Sequence, residues 1–321
     1  MFDNITLRIY DFSNNYILSK DVKYLIRRDK NIWSGKIKNI KIRQNYNCLT
    51  IHGSLAKYLN DENITPLNRE RVKQAIEKLE QDIGINLENA VVCSVEFGTS
   101  IIVKESPFEY MLLFGYTNRL YRHVIANGNK NKLIRHDVSR FKGIETVFYT
   151  TPTGSFEFIV YDKIKEMLAK KICIPSFFIK KNVIRLEYKI RKRRGIEAKF
   201  KDGLTAYCLF DKNVYNRFQK LFLNKYKEIG KMGRLVNGSK LEEITPVKLK
   251  KIMAEHFRQR HPDEYNHCLQ RFIEAGKITP KNIEIIRAEN NKLGNDIYVS
   301  EQSPLIMELD ALVSDSAMFG N

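Results

Sequence analysis

Paired cysteines are missing from this chain. The five present, Cys48, Cys93, Cys173, Cys208 and Cys268, are scattered and form no CxxC pair, which excludes a thiolate zinc site and a disulfide framework. Reduced thiols in a cytoplasm are the expectation. No apolar run reaches the ~18 residues of a membrane span. The opening "MFDNITLRIYDF" has no basic segment followed by an apolar one, so no secretory leader is expected either. Repeats and low-complexity tracts are absent, and acid is scarce relative to base. Lys and Arg total 55 against 37 Asp and Glu, a net charge of +18. A field of that sign attracts polyanions, nucleic acid first and an anionic membrane surface second.

What is present is a chain of 321 residues, 43% hydrophobic and 29% charged, enough for a sizeable core and two domains. Its first part mixes strands and helices. "NITLRIYDF" and "CLTIHG" alternate like strands. "AVVCSVEFGTSIIV" is β-rich; strict alternation puts Val92, Ser94, Glu96 and Gly98 on one face and Cys93, Val95 and Phe97 on the other. Asn68 is placed to cap a helix over "RERVKQAIEKLEQDIG", whose apolar stripe is Val72, Ala75, Ile76, Leu79 and Ile83, with Gly84 at its stop. "NVIRLEYKIRK" alternates most clearly, with Arg185, Glu187, Lys189 and Arg191 on one face; this reads as an antiparallel strand bordering a solvated or DNA-facing surface.

After about residue 204 the period turns helical, through Val214, Phe218, Leu221, Phe222 and Ile229. Thr-Pro pairs at 245–246 and 279–280 are placed to open "VKLKKIMAEHF" and "KNIEIIRAENNKLG", with "PDEYNHCLQRFIEAG" between them. The fold class is therefore α+β: antiparallel sheet with packed helices over 1–204, a mostly helical region over 205–300, and an acidic tail over 301–321.

Three constellations carry candidate chemistry. In "FEFIVYDKIKE", Tyr161 shares a strand face with Glu157 and Ile159, away from Phe156, Phe158 and Val160, and Lys163 follows it. A phenol beside a cation is a candidate nucleophile for a phosphodiester; a tyrosine that merely closes a strand is the alternative. Glu96 and Glu187 lie mid-strand, where acids are depleted. Two such carboxylates, with His52 as a third ligand or a phosphate contact, suit Mg²⁺ or Mn²⁺; ion pairs with Arg185 or Lys189 are the alternative. The run "KIRKRRG", with Lys189, Arg191, Lys192, Arg193 and Arg194, is phosphate-binding material, and "GYTNRLYRH" interleaves aromatics with cations as stacking on unpaired bases requires. His256, His261 and His267 are spaced by five and six, off a common helix face, and give no metal site.

Four blocks in this order resemble the replication initiator of filamentous bacteriophages and its phage and plasmid relatives. "LTIHGSLAKYLNDEN" is similar to a block of the shape S-x-A-K-x-L-x-x-x-N, here Ser54, Ala56, Lys57, Leu59 and Asn63. "VCSVEFGTS" resembles a strand block bearing an acid, matched by Glu96. "FEFIVYDKIKE" resembles the block with the nucleophilic tyrosine, and "VIRLEYKIRKRRG" the block apolar-R-apolar-E-x-x-I-K/R, which carries over Arg185 and Glu187. In the family, lysine stands where His52 stands here, and the acid near Glu96 can be Asp.

The resemblance implies a metal-dependent nickase and strand transferase acting on origin DNA in a bacterial host. Tyr161 would attack phosphorus, become joined to the 5′-phosphate and free a 3′-OH primer for rolling-circle synthesis, then rejoin the strand without ATP. Lys57, Arg185 and the basic run would hold DNA, with a host helicase and polymerase, and a second copy of the chain, as further partners. Relaxases with a His-x-His pair and tyrosine recombinases with His-x-x-Arg are excluded, since the chain has neither. A non-catalytic, sequence-specific DNA-binding protein of a phage or plasmid is the alternative.

Overall fold

Alternating apolar and polar residues build short strands here, and neighbouring strands pair antiparallel throughout. The computed structural model of the chain describes residues 2–10, 23–26, 32–45, 47–115, 121–126, 144–231, 254, 258, 262–286 and 303–318. In chain order the elements are β1 Phe2–Tyr10, β2 Lys23–Ile26, β3 Ile32–Ile37, β4 Ile40–Asn45, β5 Cys48–Ser54, α1 Leu55–Asn60, α2 Arg69–Ile83, β6 Val91–Val103, α3 Pro107–Leu112, β7 Tyr121–Ala126, β8 Ile144–Thr150, β9 Phe156–Asp162, α4 Lys163–Ala169, β10 Asn182–Ile190, α5 Arg193–Glu197, α6 Lys212–Glu228, α7 Pro262–Glu274 and α8 Pro304–Met318. The strands form one ten-stranded sheet in the order β2-β3-β4-β5-β1-β6-β10-β9-β8-β7. This is the expected α+β architecture. No described helix is long and apolar enough to cross a membrane.

The helices form where local chemistry dictates. The Asn68 side chain accepts a hydrogen bond from the Arg71 backbone N–H at 2.9 Å, and Gly84 ends α2 in the left-handed conformation at φ 71°, as expected for this segment. Its expected stripe is buried residue for residue. In α6 the buried face runs through Tyr215, Phe218, Gln219, Phe222 and Tyr226, so Val214 and Leu221 sit at its margin. The β9–α4 junction explains the charged break after Tyr161. Asp162 ends the strand, and its side chain accepts from the Lys165 N–H at 3.0 Å, capping the helix that begins at Lys163.

One face of the sheet carries the main core. Phe97 on β6 lies edge-on to Tyr188 on β10 and Phe218 on α6, with ring centroids 5.3 and 4.8 Å apart, and Phe2 meets Phe218 at 4.9 Å. Each such ring contributes about 1.5–3 kcal/mol on burial. The acidic end is not a tail. In α8, Ile306, Leu309 and Val313 bury an apolar stripe in the core, while Glu308 accepts from the Tyr110 hydroxyl at 2.9 Å and Asp310 pairs with Lys231 at 3.2 Å. Glu308 and Asp310 thus anchor the helix, while Asp315 is exposed. All of "VKLKKIMAEHF" but Ala254, most of "GYTNRLYRH", and the histidines His256 and His261 lie outside the described residues.

Two irregularities set which side chains leave the core face. Phe2 pairs with Phe97 and Ile5 with Val95, so β1 carries an extra residue at Asp3–Asn4; Thr6 pairs with Ser94 and Leu7 with Val92, so β6 carries one at Cys93. Val92 therefore joins the core with Val95, against strict alternation. In β1 the bulge allows Phe2 and Ile5 both to face the core and turns Asp3 to the other face.

Gly98 lies opposite Glu187 across the β6–β10 pair. A Cβ there would stand 2.0 Å from the Leu186 carbonyl oxygen and 2.9 Å from Glu187 Cα, both backbone atoms that cannot move aside independently. Gly98→Ala should therefore cost about 3 kcal/mol in urea unfolding. A cost under about 1 kcal/mol would mean that the strands separate locally without strain.

Candidate active site

The strands β5, β1, β6, β10 and β9 are consecutive in the sheet. On the face opposite the main core each sends polar side chains toward one cavity of about 340 Å³, whose lining includes His52, Glu96, Tyr161, Glu187 and Lys189, with Lys57, Asn63, Glu166 and Lys170 from the adjoining helices and turns. Period-2 geometry puts Arg185, Glu187 and Lys189 on this side of β10 while Ile184, Leu186, Tyr188 and Ile190 fill the core.

Three carboxylates cluster at and beneath the cavity wall, Glu96 and Glu187 lining it and Asp3 buried beside them. One oxygen each of Asp3, Glu96 and Glu187 lies within 4.8 Å of the others, and all three residues are buried. Lys189 Nζ bridges two of them, 2.6 Å from Glu96 and 3.2 Å from Glu187. Arg185, only 1% exposed, donates to Glu187 at 3.2 Å, to Asp3 at 3.5 Å and to Ser100 at 3.1 Å. Asp3 also accepts from Ser54 Oγ, and from Asn63 Nδ2 at 2.7 Å. Asn4 Nδ2 donates to Glu96 at 3.1 Å.

The two glutamates are pushed apart electrostatically. Burial, then the neighbouring Glu187, raise Glu96 to about 7 against the pull of Lys189. Burial would raise Glu187 too, but Lys189 and Arg185 together with the Tyr161 hydrogen bond hold it down at about 2. Three hard oxygen donors of net negative charge suit a small divalent cation, Mg²⁺ or Mn²⁺, far better than a soft metal. The donor set fits.

Tyr161 is half-buried at the cavity wall, and its hydroxyl donates to Glu187 Oε1 at 2.7 Å. Burial, followed by the charge of Glu187, raises its pKa well above that of a free phenol. Lys163 is fully buried, donates to Asn63 and to Glu166 at 2.9 Å each, and lies 5.8 Å from the Tyr161 ring centroid. Burial and then Arg185 lower its pKa.

The expected residues are thus distributed unevenly. Tyr161, Glu96 and Glu187 come together. His52 lines the same cavity, with its ring in a 2.9 Å hydrogen bond with Thr6 Oγ1, but it does not belong to the carboxylate group; Asp3 does. Arg185, expected at DNA, lies in the interior, where Asp3 and Glu187 pair with it. The charged face of β10 is a buried network rather than a solvated surface. Lys163 is no exposed partner of a phenolate, since Glu166 and Asn63 engage its ammonium. Lys57 lines the cavity. Arg191, Lys192, Arg193 and Arg194 are exposed just beyond β10, with Arg191 on Glu157 at 2.5 Å and Arg193 on Glu197 at 2.7 Å. Asp3 escaped sequence reasoning because alternation assigns it the core face of β1. Asn63 stands in the S-x-A-K block, and that block was the signal for it.

Residues 2–207 match the Phage_CRI family model, which describes the N-terminal part of a replication-associated protein. Among solved structures, a rolling circle replication initiator protein from Geobacillus stearothermophilus is similar at 8% sequence identity and a TM-score of 0.41, over 78% of this chain and 93% of that one. No curated protein matches the chain.

The carboxylates set opposite pH slopes. From an ordinary value of 4.5 up to about 7, folded Glu96 holds a proton that the unfolded chain has lost, so its contribution to stability falls as pH rises through that window. Glu187, lowered from 4.5 to about 2, contributes stability above 4.5 that is lost as pH falls toward 2. Glu96→Gln should therefore remove the first slope, which is at most about 1.4 kcal/mol per pH unit, and keep the second. Thermal melts of both proteins across this range test it. A difference between them that does not change with pH would show that Glu96 titrates normally.

Proposed function

The chain belongs to this family of replication-associated proteins, and from that membership we propose that it nicks one strand of supercoiled origin DNA to start rolling-circle replication. The observation that carries the reading is the Tyr161 hydroxyl, 2.7 Å from Glu187 in a cavity that also holds Glu96 and Lys189. Tyr161 Oη forms a bond to phosphorus, the bond from phosphorus to the 3′ oxygen breaks, and a 5′-phosphotyrosine remains. As the phenolic oxygen bonds to phosphorus its proton passes to water, and the departing 3′ oxygen takes a proton from water to become the primer hydroxyl, so that no proton is gained or lost overall. Attack by that hydroxyl on the phosphotyrosine reseals the strand.

Asp3, Glu96 and Glu187 are the residues to hold Mg²⁺ or Mn²⁺, which supplies neutralisation and orientation of the scissile phosphate. Lys189 neutralises Glu96 and Glu187 in the cation's place, and exchange would free its ammonium for a phosphate oxygen. Arg185, Asn63 and Ser54 fix the carboxylates. Lys57 and the exposed run Arg191, Lys192, Arg193 and Arg194 suit the flanking phosphates. Origin DNA is the primary partner, and a host helicase and polymerase would extend the 3′ end.

Tyr161→Phe should lose nicking of supercoiled origin plasmid by at least about 10³-fold and leave DNA binding intact. Mass spectrometry of the wild-type reaction should find DNA on the peptide bearing Tyr161. Tyr188, 1% exposed in the core, is no substitute nucleophile. A wild-type protein that binds the origin yet leaves every plasmid closed would make the chain a non-catalytic DNA-binding protein.

Asp3→Asn should cut metal-dependent cleavage about 10²-fold or more and shift the Mn²⁺ requirement upward. A wild-type metal response would reduce Asp3 to an Arg185 partner. Replacing Arg191, Lys192, Arg193 and Arg194 with Ala should weaken binding and flatten its dependence on salt, since each lost phosphate contact removes about 0.7–0.9 from the log–log slope. An unchanged slope would put the DNA on another surface.

A further inference from the structure

Between α4 and β10 the chain reads "KKICIPSFFIKK", residues 170–181, with four lysines and no acid. It is an ordered platform. Ile172, Ile174 and Phe178 pack on a small second core of Ile64, Met167 and Val183. Residues 176–178 form a 3₁₀ turn, closed by the Phe178 N–H on the Pro175 carbonyl at 2.9 Å and the Lys181 N–H on the Phe178 carbonyl at 3.1 Å.

What the platform presents is unusual. Phe177 is 68% exposed and Ile179 54%, although Phe178 between them packs inward. Lys171 and Lys180 adopt left-handed backbone, at φ 55° and 60°, where glycine or asparagine is favoured over lysine. The segment therefore shows an aromatic face and positive charge together, with charge at positions where a plain turn favours another residue. Lys170, its first residue, also lines the Tyr161 cavity and pairs with Glu166.

We propose that segment 170–181 holds unpaired bases of the DNA strand beside the phosphate cut at Tyr161, Phe177 stacking on a base while Lys171 and Lys180 take flanking phosphates. The proposal rests on the nicking reading above. A π face beside cations is the chemistry that binds single strands irrespective of sequence. An anionic lipid surface shares the taste for lysine and exposed apolar side chains. It does not account for Lys170, which begins the segment and lines the Tyr161 cavity.

The test uses the full chain carrying Tyr161→Phe, with fluorescent oligo(dT) of about 20 nucleotides and the same length of duplex as probes. Adding Phe177→Ala should weaken oligo(dT) binding about 5- to 100-fold and change duplex binding less than about 2-fold. Phe177 is exposed, so the thermal midpoint should hold. Lys171→Gly with Lys180→Gly should weaken oligo(dT) binding and lower its salt slope by roughly 0.7 per lost contact, without lowering the thermal midpoint, because glycine accepts positive φ. A structural role alone would move the midpoint and not the slope.

Unchanged oligo(dT) affinity in Phe177→Ala overturns the proposal while the nicking reading stands. Loss of binding to phosphatidylglycerol vesicles with unchanged oligo(dT) affinity also overturns it and assigns the patch to lipid. A parent chain that binds no oligo(dT) overturns this proposal, and absence of nicking by the wild-type chain overturns the reading beneath it.

Discussion

The ion network that β1, β6 and β10 enclose between them governs the rest of the structure. Asp3, Glu96 and Glu187 are buried beside Arg185 and Lys189. An unpaired charge at such depth costs several kcal/mol, so no member is independent of the others. Arg185 illustrates this. Burial works against its charged form, yet Glu187 and Asp3 reverse that and raise its pKa, making it a permanent cation between two acids. A network of this kind is a poor way to gain stability, since apolar residues of similar volume would serve as well or better. What the network does hold together in the middle of the sheet is three carboxylate oxygens within 4.8 Å of one another.

The sheet makes that arrangement possible through small departures from regularity. A regular β1 could not send both Phe2 and Ile5 into the core and Asp3 out of it. The extra residue in β1 does so, and the compensating one in β6 restores the register by Leu7. Gly98 allows β6 to run close against Leu186 and Glu187, which sets the depth of the Glu187 carboxylate. Helices α6 and α8 brace the opposite face through Phe218, Phe222 and Leu309, so the site stands on a rigid sheet rather than on loops. Two acids of the last helix serve the same end, since Glu308 and Asp310 tie it to Tyr110 and Lys231.

Much of this was legible in the sequence, and the limits have physical causes. The α2 caps and stripe, the alternation of β10 and the outward face of Tyr161 follow from periods of 3.6 and 2. The fold class followed from them. Asp3 could not be found, because a bulge reverses parity and nothing in "MFDNITLRIYDF" announces one. The burial of Arg185 is not legible either, because alternation tells which residues share a face but not whether that face is covered. Only the sheet order, which brings Asp3 of β1 beside β6 and β10, shows that it is. The acidic end misled for a related reason. Counting its charges hid Ile306, Leu309 and Val313, which decide where that helix goes.

The state of Tyr161 bears most directly on mechanism. A nucleophilic phenol helped by a neighbouring ammonium would have a lowered pKa, and "Y-x-K" suggests that arrangement. The surroundings do the opposite: burial and Glu187 raise it, while Lys163 is engaged by Glu166 and Asn63. The resting hydroxyl therefore keeps its proton and donates it to Glu187 in a hydrogen bond. Ionisation becomes favourable only when positive charge enters the cavity or the Glu187 oxygen is drawn to another partner. The carboxylate that accepts the phenolic hydrogen bond is itself one of the three clustered carboxylates, so a divalent cation held by Asp3, Glu96 and Glu187 would answer both needs at one place. Such a cation would couple to Tyr161 through the shared Glu187, and ionisation of the phenol would then be conditional on a loaded site. On the nicking reading, that arrangement would keep the phenol protonated until cation and phosphate were both in position.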